Sequence, residues 1–336
     1  MRVGLLYDFA NPSPWRRSAV ELYAKELEQI QDAERLGIDA VWVTEHHFVE
    51  SYICSPLVAL AAIAARTTTI RLGTAILVAP LYHPVRLAED LAVIDVISNG
   101  RVELGLGLGW SVDEYECFGV ELAERVSRMH EVLDVVRLAW TEDEFSFQGT
   151  HFDLGPLTVL PKPVQQPHPP IWGGATSPEG ARRVGRWGLP LMWLDREMSS
   201  SYLEAYRAAG HPVEEAEVDG YINLFLCDDP DAMWPVVREH YLYQTARNTG
   251  RRAAFPGGRI AHRPVPTPAD IEQARESGAI LFLTPDQAAE ELRRRTRGLP
   301  VTGFLCHNRV CGMPDELSDR HIELLATELR PALATV

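Results

Sequence analysis

Eight times along this chain a short apolar run is followed by a stretch able to form an amphipathic helix. The apolar runs fall at residues 3–7, 40–43, 70–74, 102–107, 170–173, 191–194, 218–227 and 303–306. They are nearly continuous rather than alternating, the pattern of parallel strands buried on both faces. The intervening stretches carry apolar residues at helical spacing. Val20, Tyr23, Leu27 and Ile30 mark residues 18–36, and Leu87, Leu91 and Ile94 follow Pro84. Met129, Val132 and Val136 mark residues 122–140, and Ile322, Leu325 and Leu329 mark residues 318–333. Further helices are expected at 177–187, 202–209 and 284–297. Gly37 stands where a C-terminal cap belongs, Ser55-Pro56 reads as N-cap and first-turn proline, and Thr284-Pro285-Asp286-Gln287 is a capping box.

Eight such units in 336 residues predict an α/β fold, the (β/α)8 barrel. The rival is an open doubly wound sheet, which commonly places a glycine-rich phosphate loop after its first strand. Here that turn reads Asp8-Phe9-Ala10-Asn11-Pro12, without glycine. Two excursions break the rhythm, at about residues 141–170 and 228–278. Phe145, Phe147 and Phe152 around Gly149 predict a hairpin in the first. The second is expected to be helical at 230–245 and then irregular, with Trp234, Tyr241, Tyr243 and Phe255 making it aromatic. Both are read as insertions, shaping the pocket of one barrel domain spanning 1–336.

A net charge of −15 argues against sequence-independent nucleic-acid binding, which needs a positive surface. Five scattered cysteines suit a reducing compartment. No apolar signal region follows Met1, and no apolar run approaches the roughly 20 residues that cross a bilayer. The expectation is a cytoplasmic protein without nucleic-acid or membrane partners. Cys306, His307 and Cys311 cluster, but their spacing matches no usual zinc pattern.

Barrel enzymes take their catalytic groups from strand C-terminal ends and the loops beyond. The first strand offers Asp8, and the second, through Trp42-Val43-Thr44-Glu45-His46-His47-Phe48, offers an acid and two histidines. The third offers Gly73-Thr74-Ala75-Ile76, the fourth Gly105-Leu106-Gly107-Leu108-Gly109-Trp110, and the fifth Gly173-Gly174-Ala175-Thr176-Ser177. Neighbouring strand residues point to opposite faces, so His46 and His47 do not readily grip one metal ion. A proton-transferring histidine and a histidine satisfied in the core both fit. The Gly105, Gly107, Gly109 spacing is not the dinucleotide fingerprint and reads better as a crowded strand exit. Thr176 and Ser177 precede a helix, where they fit an N-cap, an anion site, or both. Arg247, Arg251, Arg252 and Arg259 form a stripe that fits a phosphate or a solvated loop.

Several motifs together resemble the bacterial luciferase-like flavin monooxygenases. They are Glu45-His46-His47-Phe48, Gly73-Thr74-Ala75, His83-Pro84-Val85-Arg86 with Ala88-Glu89-Asp90, Asp95 with Ser98 and Gly100-Arg101, and Phe118-Gly119. Pro161, Pro163 and Gln165, Pro169-Pro170-Ile171-Trp172 and Trp187-Gly188-Leu189-Pro190 continue the match, which covers most of residues 1–195. The resemblance implies a barrel, usually a homodimer, that binds reduced FMN supplied by a separate reductase. In such proteins the flavin reacts with O2 to a C4a-peroxyflavin that oxygenates a small organic substrate. By the same resemblance His46 is the catalytic base, and Glu45, Thr74, Gly107, Leu108, Gly109, Gly174 and Ala175 lie at the cofactor. Ala75 and Ile76 fall at a non-proline cis peptide against the flavin ring, and Thr176 and Ser177 at its phosphate. Light-emitting members carry a cysteine and a phosphate-binding arginine where this chain has Gly107 and Leu108, which argues against light emission. The phosphate then needs backbone groups, Thr176, Ser177 or another cation such as Arg182. Relatives that use a deazaflavin for hydride transfer typically have an Asp-His pair where this chain has Glu45-His46-His47, so the motif favours FMN. A flavin-binding protein without turnover is the remaining alternative.

Overall fold

The computed structural model describes residues 1–50, 52–255 and 259–334. Residues 256–258 of the second excursion, within the expected irregular stretch, lie outside the described residues.

Parallel pairing runs from strand Arg2–Tyr7 through Ala40–Val43, Arg71–Thr74 and Val102–Gly107 to Ile171–Gly173. Single parallel bridges from Gly173 to Leu191 and from Leu191 to Val218 carry it on. Strand Val218–Tyr221 pairs with Val301–His307, which pairs with the first strand and closes the ring. The chain is therefore the expected (β/α)8 barrel, with its sixth staves reduced to one bridging residue, Leu191. The strands' outward side chains and the surrounding helices form the main core, in which Val3, Leu5, Val41, Leu72 and Leu104 are fully buried. The barrel interior holds its own cluster of Leu6, Trp42, Trp172, Met192 and Leu305. At its base Glu103 accepts from Arg2 and from the Trp172 indole at 2.7 and 2.8 Å, and pairs with Arg71.

Several expectations need correction. The run at 218–227 is not one strand: after Val218–Tyr221 the chain leaves the barrel, and Leu224–Leu226 pairs instead with Leu281–Leu283. In the first helix, Ala19–Leu36, Val20 is 80% exposed and Tyr23 40%. The buried face is Leu22, Glu26, Gln29, Ile30 and Ala33, because two of its polar groups are satisfied from the last barrel loop. Asn308 donates to Glu26 at 2.7 Å and to Gln29 at 2.9 Å. Ser55 occupies the N-cap position of helix Pro56–Ala64 without a side-chain capping bond. Gly37, at φ 88°, and the Thr284–Gln287 box cap as expected.

The first excursion forms the expected hairpin, Phe145–Gln148 with Asp153–Leu157. Its turn docks on the flank of helix Arg125–Thr141, where Glu131 accepts the backbone N–H groups of Thr150, His151 and Phe152 at 2.7–3.1 Å. The second carries helix Pro230–Ala246, hairpin strands Arg252–Ala254 and Ile260–His262, and helix Pro268–Glu276. Trp234 and Tyr241 belong to a small core with Phe225, Val237, Ile271 and Phe282. Among the described residues no helix is long and apolar enough to cross a membrane.

Candidate active site

Two of the strand ends named from sequence meet through Glu45. Its carboxylate is buried and accepts from the Val78 backbone N–H and the Tyr82 hydroxyl, both at 2.7 Å. His47 Nε2 lies 3.0 Å from the same carboxylate. Glu45 thus ties the second strand's end to the segment after the third. Burial and this carboxylate push the Tyr82 hydroxyl pKa well up, so it stays a donor. The Ala75–Ile76 peptide in that segment is cis. Ala75 and Ile76 pack on the barrel-interior cluster.

Glycine is needed beside this peptide because the strand exits are crowded. A Cβ on Gly107 would come within 2.6 Å of the Ile76 side chain, and one on Gly174 within 2.5 Å. Ile76 fills the space both glycines leave. Thr74 is buried and donates to the Gly105 carbonyl at 2.7 Å, which locks the third strand to the fourth. Leu108 accepts the Tyr115 hydroxyl at its carbonyl, and Gly109, at φ 68°, turns the chain into the helix Val112–Cys117. Ser177 is an N-cap in fact, its Oγ accepting from the Gly180 N–H at 3.2 Å. Thr176 beside it is exposed and Ala175 is buried.

His46 separates from His47 as strand geometry requires. Its ring lies against Tyr52 (centroids 4.1 Å apart) and Trp110 (5.8 Å). Nδ1 is buried without a hydrogen-bond partner, a Glu114 carboxylate oxygen lying 3.6 Å away, while the side chain as a whole stays 18% exposed. A carboxylate only accepts, so the tautomer that suits this setting carries its proton on Nδ1. Nε2 is then the basic nitrogen.

Glu114 was not foreseen. Ser111-Val112-Asp113-Glu114 has the spacing of a capping box, and Ser111 does cap the helix. The Glu114 side chain points elsewhere: it accepts the His47 backbone N–H at 3.0 Å and Arg251 at 2.8 Å. Burial alone would raise its pKa, but His46, the His47 N–H and Arg251 outweigh that and hold it low.

Three of the four arginines of the stripe pair with carboxylates. Arg247 is buried on Asp8 at 2.6 Å and lies over the Tyr52 ring. Asp8 also accepts Thr44 at 2.9 Å and faces His307 at 3.1 Å. Burial would raise the Asp8 pKa, yet Arg247 and His307 hold it far below the usual range. Arg251 bonds Ser111 and Glu114, Arg252 bonds Asp113 and Glu116, and Arg259 lies over Phe255. The second excursion is thereby fastened across the strand ends, with Ala254 N donating to the Trp110 carbonyl at 2.8 Å.

Arg125, also unforeseen, has a buried Nη1 with no hydrogen-bond partner among the described residues. Burial first, then the charges of Arg186 and Arg125, depress the pKa of Arg183 on helix Pro178–Arg186. A cleft of about 540 Å³ runs between this helix and helix Arg125–Thr141, lined by Ser127, His130, Arg183, Arg186 and Trp187 among others. It lies on the outer flank and includes none of the residues around His46.

The model of the luciferase-like monooxygenase family matches residues 1–316. The oxygenase component of a flavin-dependent trigonelline monooxygenase from Acinetobacter baylyi is 36% identical over 47% of this chain and 44% of its own. An F420-dependent glucose-6-phosphate dehydrogenase from Amycolatopsis mediterranei is 31% identical over 65% and 69%. The chain spans about half the length of the first curated relatives it matches. Among solved structures, monooxygenase RslO1 from Streptomyces bottropensis has a TM-score of 0.78 at 26% identity, covering 98% of this chain and 99% of that one.

Proposed function

The chain belongs to the luciferase-like monooxygenase family, and we propose that it is the oxygenase of a two-component system, using reduced FMN from a separate reductase to oxygenate a small organic substrate. The observation that carries this reading is His46 at the end of the second barrel strand, its Nδ1 buried 3.6 Å from the Glu114 carboxylate and its side chain still partly exposed. The residues present fit a flavin. Ala75, Ile76, Gly107 and Gly174 make a closely packed wall, and Thr176, the helix start at Ser177 and the orphaned Arg125 offer donors to a phosphate. With leucine at position 108, Arg125 joins Arg182 as a candidate cation for the phosphate. Reduced flavin, when bound, supplies the two electrons with which one oxygen atom of O2 enters the substrate and the other leaves as water.

Every other task falls to the chain. His46 Nε2 accepts or returns the proton of the reacting oxygen, Glu114 fixes the ring's tautomer, and Glu45 with His47 holds the strand end rigid. Tyr52, Trp110 and the second excursion exclude water from this end. Replacing His46 by Ala is expected to lower product formation by about 100-fold, the scale of one general base, with FMN affinity kept. Product measured against NADH consumed, with FMN and a generic reductase, checks this; an unchanged yield removes His46 from the mechanism. A deazaflavin-dependent hydride transfer is the second reading, supported by the F420-dependent relative that aligns over 69% of its length. The homodimer finds support in Val93, Val96 and Ile97, which leave one side of helix Pro84–Ser98 42–48% exposed.

A further inference from the structure

The hairpin of the second excursion pairs Arg252 with His262 and Ala253 with Ala261. One residue further out the same register sets Arg251 opposite Arg263, whose N–H donates to the Arg251 carbonyl at 3.0 Å. Both guanidiniums lie over the Trp110 ring, at 5.2 Å for Arg251 and 4.1 Å for Arg263. Like charges directly opposite in an antiparallel pair repel, so something must offset this one. Glu114 offsets Arg251. No carboxylate among the described residues reaches Arg263. Each arginine also keeps a buried N–H without a hydrogen-bond partner: Nη1 of Arg251 and Nε of Arg263. Trp110, the ring they share, is 5.8 Å from the ring of His46.

We propose that Arg251 and Arg263 form an oxyanion site that takes the carboxylate of a small organic acid and presents the rest of that molecule to His46. The free Nε edge of Arg263 gives the planar fork that matches a carboxylate with two parallel hydrogen bonds. A second buried donor from Arg251 meets the same anion. An anion there satisfies both orphaned donors and also relieves the repulsion between the two cations, which a neutral acceptor does not. This places the specificity of the proposed oxygenase in its second excursion and rests on the reading of the His46 end as the active site. The same donors would also suit a cofactor phosphate, so the test separates the two sources.

Dissociation constants for acetate and benzoate, and for the neutral acetamide and benzamide, are measured by ligand-observed NMR on the full chain with FMN bound. The acids should bind about tenfold or more tightly than the amides, the worth of one charge-assisted hydrogen bond. Arg263→Gln should remove that preference, and Arg263→Lys, which keeps the charge without the fork, should restore part of it. FMN affinity, from flavin fluorescence, should stay within about twofold in both variants, well under one such bond. Equal affinity for acids and amides overturns the proposal. So does an Arg263→Gln variant that keeps the preference but loses FMN, which assigns the site to the phosphate. Binding is read without turnover, so acid binding without oxygenation defeats the proposed function alone. Oxygenation without acid preference defeats this site alone.

Discussion

Glu114, which the sequence did not single out, joins three segments at the mouth. Its carboxylate accepts the His47 N–H and Arg251 and lies 3.6 Å from Nδ1 of His46. Glu114→Gln keeps the shape but loses the charge, and should cost about 2 kcal/mol in urea unfolding, the range of hydrogen bonds to charged groups. It should also lower activity, because Nδ1 of His46 then no longer faces an obligate acceptor. A second residue gives a pH signature. His321 is fully buried, accepts the Leu226 N–H at 2.8 Å and stacks on Phe225. Burial pushes its pKa from 6.5 down to about 3. Below pH 6.5 the unfolded chain therefore binds a proton that the folded chain refuses until about pH 3. The stability from this group is full above pH 6.5 and falls as the pH drops through that window. His321→Gln should flatten the decline of Tm between pH 6 and pH 4, as followed by circular dichroism; an equally steep decline would mean that His321 does not govern it.

The second excursion is held by ion pairs whose partners lie far away in sequence. Arg247 meets Asp8 across 239 positions. With both side chains buried, Arg247→Met leaves Asp8 charged and unpaired, at a cost of about 3–5 kcal/mol. Hydrogen exchange in helix Pro230–Ala246 should rise with it. Arg252→Ala, which breaks a more exposed pair, should cost under about 1 kcal/mol. These contrasts also show what the sequence made legible. Buried parallel strands announce themselves as apolar runs, so six of the eight staves were readable to within two residues, Leu191 heads the run expected for the sixth, and the seventh was drawn past its end at Tyr221. The face of helix Ala19–Leu36 was misread because Glu26 and Gln29 are buried by long-range bonds that no periodicity encodes. His46, Glu45 and the Ala75–Ile76 position were legible through motif resemblance. Glu114, Arg125 and Arg263 were not, since no motif marks them and their surroundings come from residues distant in sequence.

At the scale of the whole molecule, the barrel sets the strand ends in a ring, and each contributes one component there. Asp8 anchors the second excursion, Glu45 ties the second strand's end to the segment after the third, and Ala75–Ile76 with Gly107 and Gly174 forms the packed wall. Gly107→Ala should disturb that wall, since its Cβ overlaps Ile76. Overpacking of this kind costs about 1–3 kcal/mol, and FMN affinity should fall with it. If Val93, Val96 and Ile97 are covered by a second copy, light scattering should give twice the chain mass, and Val96→Glu should return it to one. The central claim is oxygen transfer by reduced flavin, and its most direct test is isotopic. The chain is supplied with reduced FMN and, separately, with a reduced deazaflavin, under heavy-oxygen-labelled O2, against a panel of aldehydes, ketones and aromatic acids. Mass spectrometry should find one labelled oxygen atom in the product with FMN only; unlabelled product formed with the deazaflavin alone would contradict the account.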